Sequence, residues 1–245
     1  MRVINGPTPL DHPADPAHAA GMARPRTPPH AITPQILLRA YSIGVFPMSE
    51  GADDPTLFWV DPPERGIFPL DGMIISHKLA RTIRADRFAI HVDRDFEAII
   101  DGCAASAPDR PSTWISHRIR DLYTGLFDMG AAHCLGAYDA QDQLVGGLYG
   151  VSIGGAFFGE SMFHRATDAS KVTLMHLAAR LVAGGFSLLD TQFVTPHLET
   201  LGAIEIPRAD YLARLEIAML TPANFLIWPK DEIVSGATVL DLLTT

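Results

Sequence analysis

Three polar residues stand in stretches of sequence that give them little polar company. Glu160 interrupts Phe157-Phe158-Gly159-Glu160-Ser161-Met162-Phe163, and Asp190 and Gln192 follow the run Phe186–Leu189. A carboxylate in a strand full of Phe, Gly and Met is costly unless it is paired or hydrogen-bonded. Glu160 suits a functional site, and it equally suits capping a helix at Ser170 or bridging to an arginine. The spacing leaves both open. Asp190 and Gln192 fall at the C-terminal end of a buried strand, where open sheets tend to place ligand-facing groups. Period-two alternation sends both to one face and Thr191 to the other. Such a pair can hold and orient an attacking amine, or it can be two turn formers bonding nearby backbone. Rival chemistries lack their signatures: the chain has no Gly-x-Ser-x-Gly elbow, no Cys-x-x-Cys or His-Glu-x-x-His arrangement and no Walker loop. The ten histidines are scattered, and His133, His164 and His197 read as structural groups rather than ligands.

The elements that must position these residues follow from caps and periodicity. Residues 1–30, rich in Pro, Ala, Asp and His, are expected to form an irregular lead-in. Thr33 and Pro34 open a helix carrying Leu37, Ala40 and Tyr41, which Gly44 should end. Val45–Leu70 is dense in Pro and aromatics and reads as loops and short strands. Helices are expected over Ser76–Ala85 and Phe96–Cys103 around a strand at Phe88–Val92, and then from Ser116 to Gly130 after a polar loop at Ala104–Ser112. Ala132–Tyr138, Leu144–Ser152 and Ala156–Phe163 read as strands. They are followed by a helix at Ser170–Ala183, a strand at Phe186–Thr191, a short helix at Pro196–Leu201 and a last helix near Ala209–Leu220. This order predicts an α+β fold whose mixed sheet with flanking helices resembles the N-acetyltransferase-like layout. The expected division is a lead-in (1–30), a small N-terminal domain (31–74) and a catalytic domain (75–245).

Composition narrows the partners. With 47% hydrophobic residues in 245 the chain can build a real core. Its apolar runs break well before the ~20 positions a membrane span needs. The start lacks the features of a signal peptide, and two distant cysteines, Cys103 and Cys134, suit reduced thiols, so the expected location is the cytoplasm. A net charge of −9 is wrong for a generic nucleic-acid binder, yet Lys78, Arg81, Arg84, Arg87 and Arg94 concentrate positive charge in one short stretch. On charge alone, that stretch reads as a solvated helix face.

Taken together, the motifs carry a resemblance. In order along the chain they are Leu38-x-x-Tyr41-x-x-Gly44-Val45-Phe46-Pro47, Trp59-x-x-Pro62, Arg65, Thr113-Trp114-Ile115, Leu144-Val145-Gly146-Gly147-Leu148-Tyr149-Gly150, Gly159-Glu160-Ser161-Met162-Phe163, Ala169-Ser170-Lys171, Asp190-x-Gln192 and Leu201-Gly202-Ala203. Over roughly Ile32 to Leu215 the chain resembles the leucyl/phenylalanyl-tRNA–protein transferases, bacterial enzymes of the N-degron pathway. The resemblance implies transfer of Leu or Phe, and less readily Met, from aminoacyl-tRNA to the α-amino group of proteins that begin with Arg or Lys. It implies no metal, ATP or other cofactor, because the ester is already activated; a monomer is expected on a separate ground, the want of any oligomerisation signal in the sequence. It assigns Glu160, Asp190 and Gln192 to the reaction centre. Leu148, Phe157, Met162, Leu174, Leu181 and Leu189, which read as ordinary core without it, become the pocket for the donor side chain. Trp114 would stack on the terminal adenosine, and Lys78, Arg81, Arg84 and Arg87 would meet the acceptor stem, with salt-sensitive binding. Three departures stand out: Met48 where many members have Trp, Cys134-Leu135-Gly136-Ala137 without the usual acidic residue, and Ala80 at an often basic position. The alternatives are another acyltransferase of the same fold and a non-catalytic aminoacyl-tRNA-binding module.

Overall fold

The computed structural model describes residues 26–27, 32–105 and 112–244. Most of the lead-in and the interior of the expected 104–112 loop fall outside the described residues. In chain order the elements are β1 (Arg26–Thr27), α1 (Pro34–Ser42), β2 (Phe46–Met48), β3 (Leu57–Val60), β4 (Glu64–Phe68), α2 (His77–Arg84), β5 (Ala89–Val92), α3 (Phe96–Ala104) and α4 (His117–Asp128). There follow β6 (Ala132–Tyr138), β7 (Leu144–Ile153), β8 (Ala156–His164), α5 (Ala169–Ala183), β9 (Leu188–Gln192), α6 (Pro196–Glu199), β10 (Ile204–Pro207), α7 (Arg208–Leu220) and α8 (Gly236–Leu243).

The helix starts form where side-chain oxygens can take the first free amides. Thr33 accepts from Ile36, Ser76 from Leu79 and Ser116 from Ile119. Asp168 precedes α5 in a left-handed conformation and makes no side-chain cap bond. Two elements escaped the sequence reading. β10 buries only Ile206 of its four residues, so it shows no alternation, and α8 is a short helix capped by Ser235.

A small three-stranded sheet, β1-β3-β2, is antiparallel, so Arg26–Thr27 is strand rather than irregular lead-in. The main sheet has seven strands in the order β10-β4-β9-β8-β7-β6-β5. It therefore takes β4 from ahead of position 74, and a division by sheet falls between Val60 and Glu64. The fold is α+β, and the sheet is mixed because β8 and β9 run parallel, with α5 as their crossover.

Two apolar layers cover its faces. One joins α1, α3, α4 and α7 through Tyr41, Ile99, Tyr123 and Leu215 to Tyr149 and Phe158. The other joins α2, α5 and α8 through Ile83, Leu177 and Val239 to Leu148, Phe157 and Met162. Each fully buried Leu or Phe there stabilises the fold by about 1.5–3 kcal/mol. Cys103 and Cys134 are buried and form no disulfide among the described residues. No helix among the described residues is long and apolar enough to cross a membrane.

Candidate active site

The parallel ladder between β8 and β9 is short: it pairs Ala156 with Leu188, Phe157 with Leu189 and Phe158 with Asp190, and goes no further. β8 continues to His164 against β7 alone, so the two central strands part just where the polar residues begin. A bulge marks the parting on each strand. Between β7 and β8 the register passes from Gly150↔Gly159 to Tyr149↔Ser161, which leaves Glu160 as the extra residue. Between β4 and β9 it passes from Ile67↔Asp190 to Gly66↔Gln192, which leaves Thr191 as the extra one. Bulges re-aim side chains that regular alternation would send elsewhere. Gly150 is needed opposite the first, because a Cβ there would run into the Phe158 carbonyl and the Phe157 ring.

Glu160 is 1% exposed and faces the layer of α1 and α4. The Tyr41 hydroxyl donates to its Oε1 at 2.6 Å and the Tyr123 hydroxyl to its Oε2 at 2.7 Å. The two tyrosine hydroxyls also lie in contact, and because each carries one proton, a bond between them forms only in exchange for one of the bonds to Glu160. Burial pushes the Glu160 carboxyl up to about 7, against the pull of the two tyrosine hydrogen bonds, while the Asp190 charge raises it and the Arg65 charge lowers it. Both tyrosines are raised well above their ordinary value by burial and then by the Glu160 charge, so they stay protonated donors. The two tyrosines are hydrogen-bond partners of Glu160, and the charge of Arg65 also reaches it.

Asp190 is held by a second network. Arg65 on β4 donates from Nε to Oδ1 and Oδ2 at 3.0 and 3.2 Å, and from Nη2 to Oδ2 at 2.6 Å. Its Nη1 donates to the Gly44 carbonyl at 2.9 Å, and its guanidinium lies between the rings of Phe46 and Tyr211. Burial alone would weaken the Arg65 charge, but the Asp190 carboxylate more than offsets it. Tyr211 donates to Asp190 Oδ2 at 2.8 Å and the Gln192 amide nitrogen to Oδ1 at 2.7 Å. Gly44 permits this: its φ of +84° ends α1, and a Cβ there would come within 2.9 Å of Leu212.

Gln192 is the exception in this well-bonded centre. It is buried, its φ is +60°, and neither Oε1 nor Nε2 has a partner among the described residues. The Ser161 hydroxyl, beside the bulge, is in the same condition. A buried polar group costs about 1–3 kcal/mol when nothing meets it, so the Gln192 amide and the Ser161 hydroxyl beside the strand split are suited to bond water or a ligand. Glu160 and Asp190 share a face of the sheet. The bulge at Thr191 and the positive φ of Gln192 replace the plain alternation expected of Asp190 and Gln192.

Family models for the leucyl/phenylalanyl-tRNA protein transferase match residues 67–216, and for its N-terminal domain residues 30–63. The chain belongs to the leucyl/phenylalanyl-tRNA–protein transferase family. It is 60% identical over 212 residues to the leucyl/phenylalanyl-tRNA–protein transferase of Afipia carboxidovorans, covering 86% of this chain and 93% of that one. It is 56% identical over 213 residues to the namesake from Rhodopseudomonas palustris strain BisB18, covering 87% and 92%. Against the one from Nitrobacter winogradskyi, identity is 57% over 209 residues, covering 85% and 92%. The two family models meet between 63 and 67, near the gap between the two sheets.

As a transferase of this family, the chain spreads its remaining expected site residues over both faces of the sheet. Leu148, Phe157, Met162, Leu174, Leu181 and Leu189 are all buried in the layer under α5, with Leu148 paired to Met162 and Phe157 to Leu189. That is the face away from Tyr41, Tyr123 and Tyr211. Lys78, Arg81 and Arg84 are exposed on α2 opposite its buried Leu79 and Ile83, with Arg87 just beyond over the Phe88 ring. Trp114 stands apart from them. It is 6% exposed, packs in the layer of α1 and α4, and its carbonyl accepts from Ser49 Oγ at 2.7 Å. Met48 is half-buried on β2 opposite Phe58, and Ala80 lies partly buried against the α5 layer. His133 bonds Asp93 through Nδ1 at 2.9 Å.

Sequence reasoning gave no role to Tyr41, Tyr123, Arg65, Tyr211 or Ser161. Arg65 offered one signal: it is a charge directly ahead of Gly66-Ile67-Phe68, which are all buried, in a strand where only Glu64 is exposed. The tyrosines offered none, because Tyr41 and Tyr123 fit the apolar stripes of their helices.

Proposed function

We propose that this chain moves Leu or Phe, and less readily Met, from aminoacyl-tRNA to the α-amino group of proteins beginning with Arg or Lys, marking them for N-degron degradation in the cytoplasm. The observation that carries the reading is the parting of β8 and β9 at Phe158↔Asp190, with the unpartnered Gln192 amide at its edge and Glu160 at the adjoining bulge.

The free amine attacks the ester carbonyl. A C–N bond forms, the ester C–O bond breaks, and the proton lost by the amine ends on the departing 3′ oxygen of the tRNA. The ester is the activated species, so the enzyme has to position the amine, relay its proton and stabilise the oxyanion. Gln192 is no base, and its amide orients the amine. Glu160, poised at about 7 by burial, accepts the proton and returns it. Asp190, neutralised by Arg65, serves the centre by fixing the Gln192 backbone. The six apolar residues under α5 receive the donor side chain. Their shape disfavours β-branched donors, although one methyl group discriminates by only about 1–3 kcal/mol. Lys78, Arg81, Arg84 and Arg87 meet tRNA phosphates, and Trp114 takes the adenosine end. The chain acts as a monomer without a cofactor.

The test uses labelled Leu-tRNA and a peptide beginning with Arg, beside the same peptide acetylated at its N-terminus. Label should appear on the free peptide alone. No label on it would overturn the reading, and label on the acetylated peptide would show that the acceptor is not the α-amine.

A further inference from the structure

Between α7 and α8 the chain crosses the α5 layer as a strap, residues 221–235, beyond the segment that the family models match. Polar bonds fix it at both ends: the Asn224 amide donates to the Gly184 carbonyl at 2.9 Å, and the Gly236 amide to Asp86 Oδ1 at 2.6 Å. Its middle is fixed by charge. Arg180, buried on α5, donates from Nη1 to the carbonyls of Phe225 and Trp228 at 2.9 and 3.1 Å. Lys230 reaches the buried Asp93 at 2.8 Å, and the same carboxylate oxygen holds His133.

What these bonds hold in place is one ring. Phe225 is buried and lies flat between His133 and Phe157, with centroids at 4.0 and 5.4 Å and planes within 16° and 13°. Phe186 meets its edge at 6.3 Å. Phe157 is one of the six residues of the donor face and pairs with Leu189, another. A ring packed only for stability needs no buried arginine and no buried aspartate to fix the backbone around it. Here Arg180 bonds the strap that carries it, and Asp93 ties the strap's Lys230 to His133 and the Cys134 amide on β6.

We propose that the strap is the outer wall of the donor side-chain pocket, and that Phe225 is a positioning residue for specificity, setting through Phe157 how large a donor side chain the enzyme takes. This rests on the pocket assigned under the proposed function. A wall so placed acts on the choice between donors more than on the transfer step, which takes place across the strand split at Gln192.

The experiment measures kcat/KM for Leu-, Phe- and Met-tRNA with an Arg-initiated peptide in the full chain and in Phe225→Leu, Phe225→Trp and Lys230→Ala. Phe225→Leu should raise Phe over Leu by about tenfold, the scale on which a change of one or two methylenes discriminates. Phe225→Trp should press Phe157 inward and shift the ratio towards Leu. Lys230→Ala, at an exposed side chain, should shift it in the same direction as Phe225→Leu and by less. Met162→Ala is run beside them. If it changes the donor ratio while all three strap variants keep the parental ratio, the strap proposal falls and the pocket stands. If it leaves the ratio untouched as well, the pocket assignment itself falls. A Phe225 variant that fails to fold is replaced in the comparison by Lys230→Ala, whose unchanged ratio would overturn the proposal.

Discussion

The two faces of the central sheet solve opposite problems with the same strands. On the α1 and α4 side, β8 and β9 bury carboxylates, and each is held by bonds from distant elements: Glu160 by Tyr41 and Tyr123, Asp190 by Arg65 and Tyr211. On the α5 side the same strands bury Phe157, Met162 and Leu189 among other apolar side chains, and the buried charges of that side, Arg180 and Asp93, bond the strap and β6 rather than these three residues. The polar face is rigid and unforgiving, because a lost partner strands a charge. The apolar face tolerates exchange of similar volumes, and under the proposed function it answers in selectivity. The difference teaches where substitutions should break the protein and where they should merely retune it.

The largest effect is expected from Arg65→Met. It leaves the Asp190 carboxylate buried without its cation and should destabilise the fold by about 3–5 kcal/mol. Denaturant unfolding measures it, and a loss under 1 kcal/mol would mean that water reaches Asp190. Next comes Tyr41→Phe. Its lost hydrogen bond to a charged group should cost about 1.5–3 kcal/mol. It also carries a sign: the Tyr41 bond lowers the Glu160 value, so removing it raises that value further. In the proposed mechanism ionised Glu160 accepts the proton, so the wild-type rate should climb with pH through about 7 and the variant's climb should lie at higher pH. An unmoved profile would remove Glu160 from the proton path.

On the apolar face, Met162→Leu conserves volume and should cost less than about 1.5 kcal/mol while changing the ratio of Leu to Phe transfer. Competition between the two charged tRNAs reads it, and an unchanged ratio would take Met162 out of the donor pocket. The smallest effect on stability is expected from Arg81→Ala on α2, within about 0.5 kcal/mol. Its tRNA binding should weaken, and the slope of log affinity against log salt should fall by about 0.9, the loss of one phosphate contact. An unchanged slope would leave α2 the plain solvated face that its charge pattern also allows.

Local chemistry made much of this fold legible in the sequence. Thr33 and Ser116 cap the helices they were expected to cap, and Gly44 and Gly130 end them with positive φ. The polar centre was legible only as an anomaly, a glutamate and an aspartate with nothing nearby to satisfy them. Their partners could not be read, because Tyr41 is 119 positions from Glu160 and Arg65 is 125 from Asp190. Nor could the two bulges, since β8 and β9 are buried on both faces and carry no polar–apolar alternation for an inserted residue to break. Alternation put Asp190 and Gln192 on one face without showing that Thr191 is the extra residue. β4 was hidden for another reason: a strand that joins a sheet through β9 and β10 carries no sequence sign of which sheet it enters. The apolar six were indistinguishable from core until a family resemblance singled them out.

The claim at the centre is a division of labour across the strand split, with Gln192 serving the transfer step and the α5 layer choosing the donor. Single-turnover transfer from Leu-tRNA and from Phe-tRNA to an Arg-initiated peptide, in the wild type and in Gln192→Ala, tests it most directly. Both rates should fall together by about 10²-fold, the effect of a misplaced reactant, with their ratio and the binding of both tRNAs unchanged. Undiminished transfer, or a fall for one donor and not the other, would contradict it.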